Sequence, residues 1–303
     1  MEYKISAKDL AQSHRKTVSA CKALVDQYKA HPDTKIILDF GDCDFIYPDY
    51  ALLFLCTIKY LEKLGFTVGG EILANQKSVP VKYLASMNFF ENLKVQLPFH
   101  VDQADEKNSV LIQKYTKETQ LDVLKNILNV LKEKSSMDDN VFTGLDYCFN
   151  EILDNVLNHS AEKEGWVAAQ YFESINSVRL IISDSGIGIH QSLNEKHNFS
   201  EEEAMLKCIE EGVTNGKGQG HGLYATSTFV KLNKGWLTII SGNKSLNVSE
   251  KETVVKDIDY WPGTSVYVRI NTNVTVDYTE FTSRNYDYKK QLFEDMFEAG
   301  ARE

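Results

Sequence analysis

Residues 216–223 read GKGQGHGL, with Gly216, Gly218, Gly220 and Gly222 at alternate positions and a helical pattern starting at Leu223. Glycine lets a backbone take positive φ and pass close to a ligand. A row of amides that runs into a helix N-terminus forms a cradle for phosphate. Lys217 and His221 add donors to the same run. The plain alternative is a flexible loop. The run is not a P-loop, because Glu211 stands where the first glycine of GxxxxGK[ST] belongs and Gly218 where Ser or Thr belongs. It is not a dinucleotide fingerprint either, since GxGxxG from Gly218 would need glycine at Leu223.

Three other segments carry polar groups in suggestive places. In residues 150–160, NEILDNVLNHS, the side chains of Glu151, Asn155 and His159 recur every four residues and share one helix face. Phe149, Ile152, Leu153, Val156 and Leu157 cover much of the remainder. Alone, such a row is also what a solvated face looks like. In residues 182–189, ISDSGIGI, an apolar strand ends in Asp184, and Gly186 and Gly188 follow. A carboxylate there can accept an exocyclic amine, or it can belong to an ordinary exposed turn. Finally Gly263 and Thr264 open a β-branched run, GTSVYVRI.

The rest of the chain reads as α/β. Its 303 residues suit two domains. Over residues 1–102 the pattern gives a strand at 3–5, a helix over 7–30 stopped by Pro32, a strand at 35–40, a helix over 49–64 ended by Gly65, a strand at 67–73 and a helix over 81–93. Residues 103–118 are polar without clear period and read as a linker. Over 119–276 the pattern gives helices at 121–133 and 138–158, strands at 166–172, 178–183, 236–241 and 264–270, and a helix at 201–211 with Ser200 and Glu203 at capping-box spacing. Residues 277–303 read as a tail with a helix over 286–299.

Taken together and in this order, the four elements resemble the GHKL ATPase superfamily, which includes gyrase, MutL, histidine kinases and anti-sigma-factor serine kinases. ExxxN matches Glu151 and Asn155, DxGxG matches Asp184, Gly186 and Gly188, GxGxGL matches Gly218, Gly220, Gly222 and Leu223, and the late threonine matches Thr264. The resemblance implies a Bergerat-fold α/β sandwich, a mixed sheet with helices on one face, over residues 119–276. It implies ATP as ligand, with Asn155 on magnesium, Asp184 on the adenine amine, Thr264 assisting through a water, His159 near a phosphate and residues 189–221 as a lid. It also implies that Glu151 is the general base, toward water in an ATPase or toward a hydroxyl in a serine kinase. The nearest branch is the anti-sigma-factor kinases, because no phosphoacceptor helix of the HExRxP kind precedes the site. His14 and His31 read as ordinary surface residues.

The N-terminal stretch IILDFGDCDFIYPDYALLFLCTIKYLEKLGF, followed by VKYLASMNFF, resembles the STAS fold of anti-sigma antagonists. The position where such proteins carry a phosphorylatable serine reads Tyr47, Pro48, Asp49, Tyr50, Ala51. Asp49 there reads as a helix-capping residue or as a fixed negative charge.

Charge and cysteine usage bound the remaining possibilities. A net charge of -10 disfavours nucleic acid as a partner. Cys21, Cys43, Cys56, Cys148 and Cys208 have no CxxC spacing, which argues against a disulfide framework or a zinc site. No signal-peptide core opens the chain, and the longest apolar run, around 51–56, is too short to span a bilayer, so the expectation is a cytoplasmic protein without membrane attachment. A regulatory protein partner is expected. The apolar stripe at 121–131 suits either a homodimer or packing on the neighbouring helix. The competing functional reading is a nucleotide-switched interaction module without chemistry.

Overall fold

The computed structural model describes residues 1–75, 77–97, 99–100, 109–134, 139–216 and 220–276. The N-terminal unit is built on a parallel sheet of order β1-β2-β3, made of β1 (Glu2–Ser6), β2 (Lys35–Asp39) and β3 (Gly69–Leu73). Its helices are α1 (Ala7–Leu10), α2 (His14–Ala30), α3 (Pro48–Lys63), α4 (Val79–Ser86) and α5 (Phe89–Asn92). The single helix expected over 7–30 is two. Ser13 recaps the chain by accepting from the Lys16 amide, and the Thr17 hydroxyl donates back to the Leu10 carbonyl at 2.6 Å. The helix expected over 81–93 also divides, because Asn88 takes φ +59, a left-handed conformation that Asn tolerates and a helix interior does not.

The C-terminal unit comprises β4 (Ser109–Thr116), α6 (Gln120–Lys134), α7 (Asp139–His159), β5 (Glu164–Phe172), β6 (Ser177–Ser183), α8 (Gly188–Leu193), α9 (Glu201–Lys207), α10 (Gly222–Leu232), β7 (Trp236–Val248) and β8 (Thr253–Asn271). Its five strands lie in the order β4-β5-β6-β8-β7. Two corrections follow. The sheet is antiparallel throughout rather than mixed: β5–β6 and β7–β8 are hairpins, and the helical segment between β6 and β7 returns the chain to the far edge. The stretch expected to be a linker contains β4, paired with β5. A bulge between Val110 and Gln113 turns the backbone there outward, so Ile112 bonds through its N–H to Met87 and through its C=O to Asn92 of the N-terminal unit.

Period-two alternation gives this sheet two apolar faces. Val178, Leu180 and Ile182 of β6 join Phe149, Ile152, Leu153 and Phe229 in a core under α6, α7 and α10. Ile181, with Ala168, Ile240 and Tyr267, enters the other core, among Leu52, Leu53 and Leu55 of α3. Helices α6, α7 and α10 therefore cover one face, as expected, and the other face is packed against α2 and α3 of the N-terminal unit. The 121–131 stripe is spent inside the chain at Val123, Leu124 and Ile127, while Leu121 is exposed. The β7–β8 hairpin runs well beyond the expected strands, to Val248 and back from Thr253. Helix α9 ends earlier than expected, at Lys207, and opens on the expected capping box of Ser200 and Glu203. The tail helix expected over 286–299 lies outside the described residues.

All five cysteines are free, four of them buried. Among the described residues no helix is long and apolar enough to cross a membrane.

Candidate functional site

Helix α7 lies on the sheet with its apolar stripe inward, which leaves Glu151, Asn155 and His159 along one edge. That edge forms one wall of a cavity of about 500 Å³, well within the range of small-molecule sites. The opposite walls come from the end of β6 (Asp184), the start of α8 (Gly188), the β8 residue Thr264, and the N-terminus of α10 with Gly220, His221, Gly222 and Leu223. Four segments far apart in sequence thus line one space. Gly186 is not a wall residue; its amide donates to Asp184 Oδ1 at 2.7 Å. Lys217 and Gly218 lie outside the described residues.

Asp184 is 2% exposed. Its Oδ1 accepts from the amides of Gly186 and Thr264, the latter at 3.3 Å, and these bonds leave Oδ2 for a ligand donor. Burial pushes its carboxyl from 3.8 up to about 7, although the two amide bonds pull it down. The strand pairing that fixes this geometry is tight: the Asp184 amide donates to the Thr264 carbonyl at 2.9 Å. Gly263 holds the neighbouring turn at φ +79, and a Cβ there would stand 2.6 Å from Asp184 Oδ1. Glycine is therefore required at 263 for both conformation and space.

Glu151 and Asn155 face the start of α10. A Cβ on Gly222 would stand 2.5 Å from Glu151 Oε2 and 3.4 Å from Asn155 Nδ2, so glycine is what lets the helix terminus approach these side chains. Burial, with the charge of Asp154 second, raises the Glu151 carboxyl from 4.5 to about 7. A carboxylate poised near neutrality is suited to proton abstraction. The positive end of α10 faces the same space and favours a bound anion.

Several contributors escaped the sequence reading. Ser241 of β7 accepts from the Ile189 amide and donates to the Gly263 carbonyl, both at 2.9 Å, so it ties α8 to the turn beside Asp184. Ser160 receives the Ile187 amide on its carbonyl at 2.9 Å and positions the glycine turn after β6. From the N-terminal unit, Lys63 at the end of α3 donates to the Ser185 carbonyl at 3.1 Å and pairs with Glu162. None of these has a local motif; each is found only through tertiary contact.

Two residues outside the cavity read differently from expectation. His14 is not a plain surface residue: its Nε2 lies 2.7 Å from Asp49 Oδ2, and its ring packs on Tyr50 and Tyr267. Asp49 does not cap α3 with its side chain; it is 2% exposed in the first helical turn and held by His14. The chain also spells Asp39-Phe40-Gly41, the DFG triplet of protein kinases. It sits at the end of β2, where Asp39 pairs with Lys4, and takes no part in the cavity.

Among the described residues no group of three or more His, Cys, Asp or Glu side chains is arranged to hold a metal. Magnesium does not need one, because it binds through one or two protein oxygens together with substrate phosphates. The Asn155 amide beside the α10 terminus fits that requirement.

Residues 140–275 match the family model for the histidine kinase-, DNA gyrase B- and HSP90-like ATPases. Residues 140–275, from α7 to the end of β8, are accordingly a domain of the GHKL superfamily. No curated protein matches the chain.

Proposed function

We propose that the protein binds Mg-ATP in this cavity and either hydrolyses it or transfers its terminal phosphoryl group to a Ser or Thr hydroxyl of a protein partner. The observation that carries this is the meeting of Glu151, Asn155 and the α10 N-terminus on one side of a cavity whose other side holds Asp184. Asp184 Oδ2 accepts the adenine amine, with Thr264 beside it. Asn155 holds magnesium through its amide oxygen, and the metal, when bound, offsets charge on the phosphates. His159, His221 and the α10 amides receive the phosphate end. Glu151 takes the proton from the attacking water or hydroxyl.

The N-terminal unit, a parallel sheet with helices, supports the resemblance to a STAS fold and a regulatory role. Its contact with Ser185 through Lys63 gives a route by which a partner bound there would act on the adenine end. This reading places the protein nearest the anti-sigma-factor kinases, in the cytoplasm, acting on a protein target. One incubation with γ-labelled ATP, with and without candidate partners, decides the chemistry. Free phosphate identifies a hydrolase and labelled Ser or Thr a kinase. ATP binding with neither product would leave a nucleotide-switched interaction module instead.

A further inference from the structure

On the sheet face turned away from the cavity, one row of side chains crosses four strands. Gln170 of β5, Arg179 of β6, Arg269 of β8 and Trp236 of β7 are successive register partners. Two arginines directly opposite each other are an unfavourable cross-strand pair. Neither guanidinium donates a hydrogen bond or joins an ion pair among the described residues, and the Nε of each is enclosed without an acceptor. The buried carboxylate near them, Asp49, gives Oδ2 to His14 and keeps Oδ1 enclosed without a hydrogen-bond partner, so it bonds neither guanidinium. Arg179 Cζ stands over the Tyr47 ring, 3.8 Å from its centre, and 5.2 Å from the centre of the Phe172 ring. Stacking fixes the plane of a guanidinium while leaving its edge donors free. Both side chains are partly exposed at the rim where the N-terminal unit meets the sheet.

We propose that Arg179 and Arg269 form an oxyanion site of the phosphate class, separate from the nucleotide cavity. Two opposed cations match the nearly double charge of a phosphoryl group. The site stands five residues along β6 from Asp184, roughly 16 Å at strand rise, and on the other face of the sheet. Its position between the two units means that an occupant would bridge them: Tyr47 comes from the N-terminal unit and both arginines from the C-terminal sheet.

The test is a titration of the full chain with inorganic phosphate, following the unfolding midpoint against chloride and acetate at matched ionic strength. Phosphate is expected to raise the midpoint of the wild type beyond either control. Arg269→Gln is expected to weaken phosphate at least about tenfold, and to leave the midpoint without phosphate equal to the wild type or higher, because a like-charge pair is relieved. Arg269→Lys, which keeps the charge and loses the fork, is expected to fall between. The nucleotide cavity is untouched by these changes, so any phosphate response there is a constant background in all three proteins, and the tenfold loss is read on the part of the response that Arg269→Gln removes. The proposal is overturned if phosphate does not stabilise the wild type, if acetate matches it, if Arg269→Gln responds as the wild type does, or if that variant is destabilised without phosphate.

Discussion

Replacing Asp184 by Asn is expected to stabilise the protein while removing its ligand. The side chain is almost wholly enclosed, and burial raises its carboxyl from 3.8 to about 7. One pKa unit is worth about 1.4 kcal/mol, so keeping this group ionised costs the folded state about 4 kcal/mol above pH 7. Because the folded value is raised, the cost is absent below the unfolded value, grows from pH 3.8 upward and is complete above pH 7. Asn retains a neutral acceptor for the Gly186 and Thr264 amides, and the raised carboxyl value already contains the weaker bonding of a neutral group. The net expectation is a gain of about 4 kcal/mol at pH 8, or roughly 8–16 °C in unfolding midpoint. At pH 5 the cost is only about 1.6 kcal/mol, so the advantage shrinks to about that size. The Asn amide presents a donor as readily as an acceptor toward the adenine amine, and ATP affinity should fall about 10- to 150-fold. Urea unfolding at pH 5 and 8, paired with ATP calorimetry, measures both effects. A variant less stable than the wild type at pH 8 would refute the reasoning.

Glu151→Gln should bind ATP within about threefold of the wild type and lose turnover by 10²- to 10⁴-fold, roughly the range for a lost general base; steady-state phosphate release measures it. With the Glu151 carboxyl raised to about 7, turnover at saturating ATP should fall about tenfold per pH unit below neutrality as the base protonates, and a flat pH–rate profile would remove Glu151 from that role. Gly222→Ala places a Cβ against Glu151 Oε2, so it should impair turnover and weaken ATP together, read by the same two assays. Ser241→Ala breaks the bonds to Ile189 and Gly263 and should cost about 1–3 kcal/mol in urea unfolding, with weaker ATP binding.

The elements that sequence reading located best are those whose pattern is local. The α7 stripe, the Ser200 capping box and the turn after Asp184 all depend on residues within a few positions of one another. Strand β4 was hidden because its bulge breaks the alternation: Val110 and Ile112 are buried two apart, and Tyr115 follows after three. The covering of the second sheet face could be suspected only from strands apolar on both sides, as Ile181 and Ile182 are. Asp49 resembled a cap because helix starts favour Asp, but the N-cap position is Tyr47, and His14 reaches Asp49 from α2. Gly263 and Ser241 acquire meaning only when β7 and β8 pair beside Asp184. The opposition of Arg179 and Arg269 likewise exists only in the register of β6 and β8.

We propose that Asp184, Asn155 and the α10 N-terminus form one adenine-nucleotide site. Calorimetry of the full chain with ATP, with and without Mg²⁺, tests it most directly. Saturable binding of one ATP is expected, strengthened by Mg²⁺ in the wild type and no longer strengthened in Asn155→Ala. Heats no larger than dilution for ATP in the presence of Mg²⁺ would contradict it.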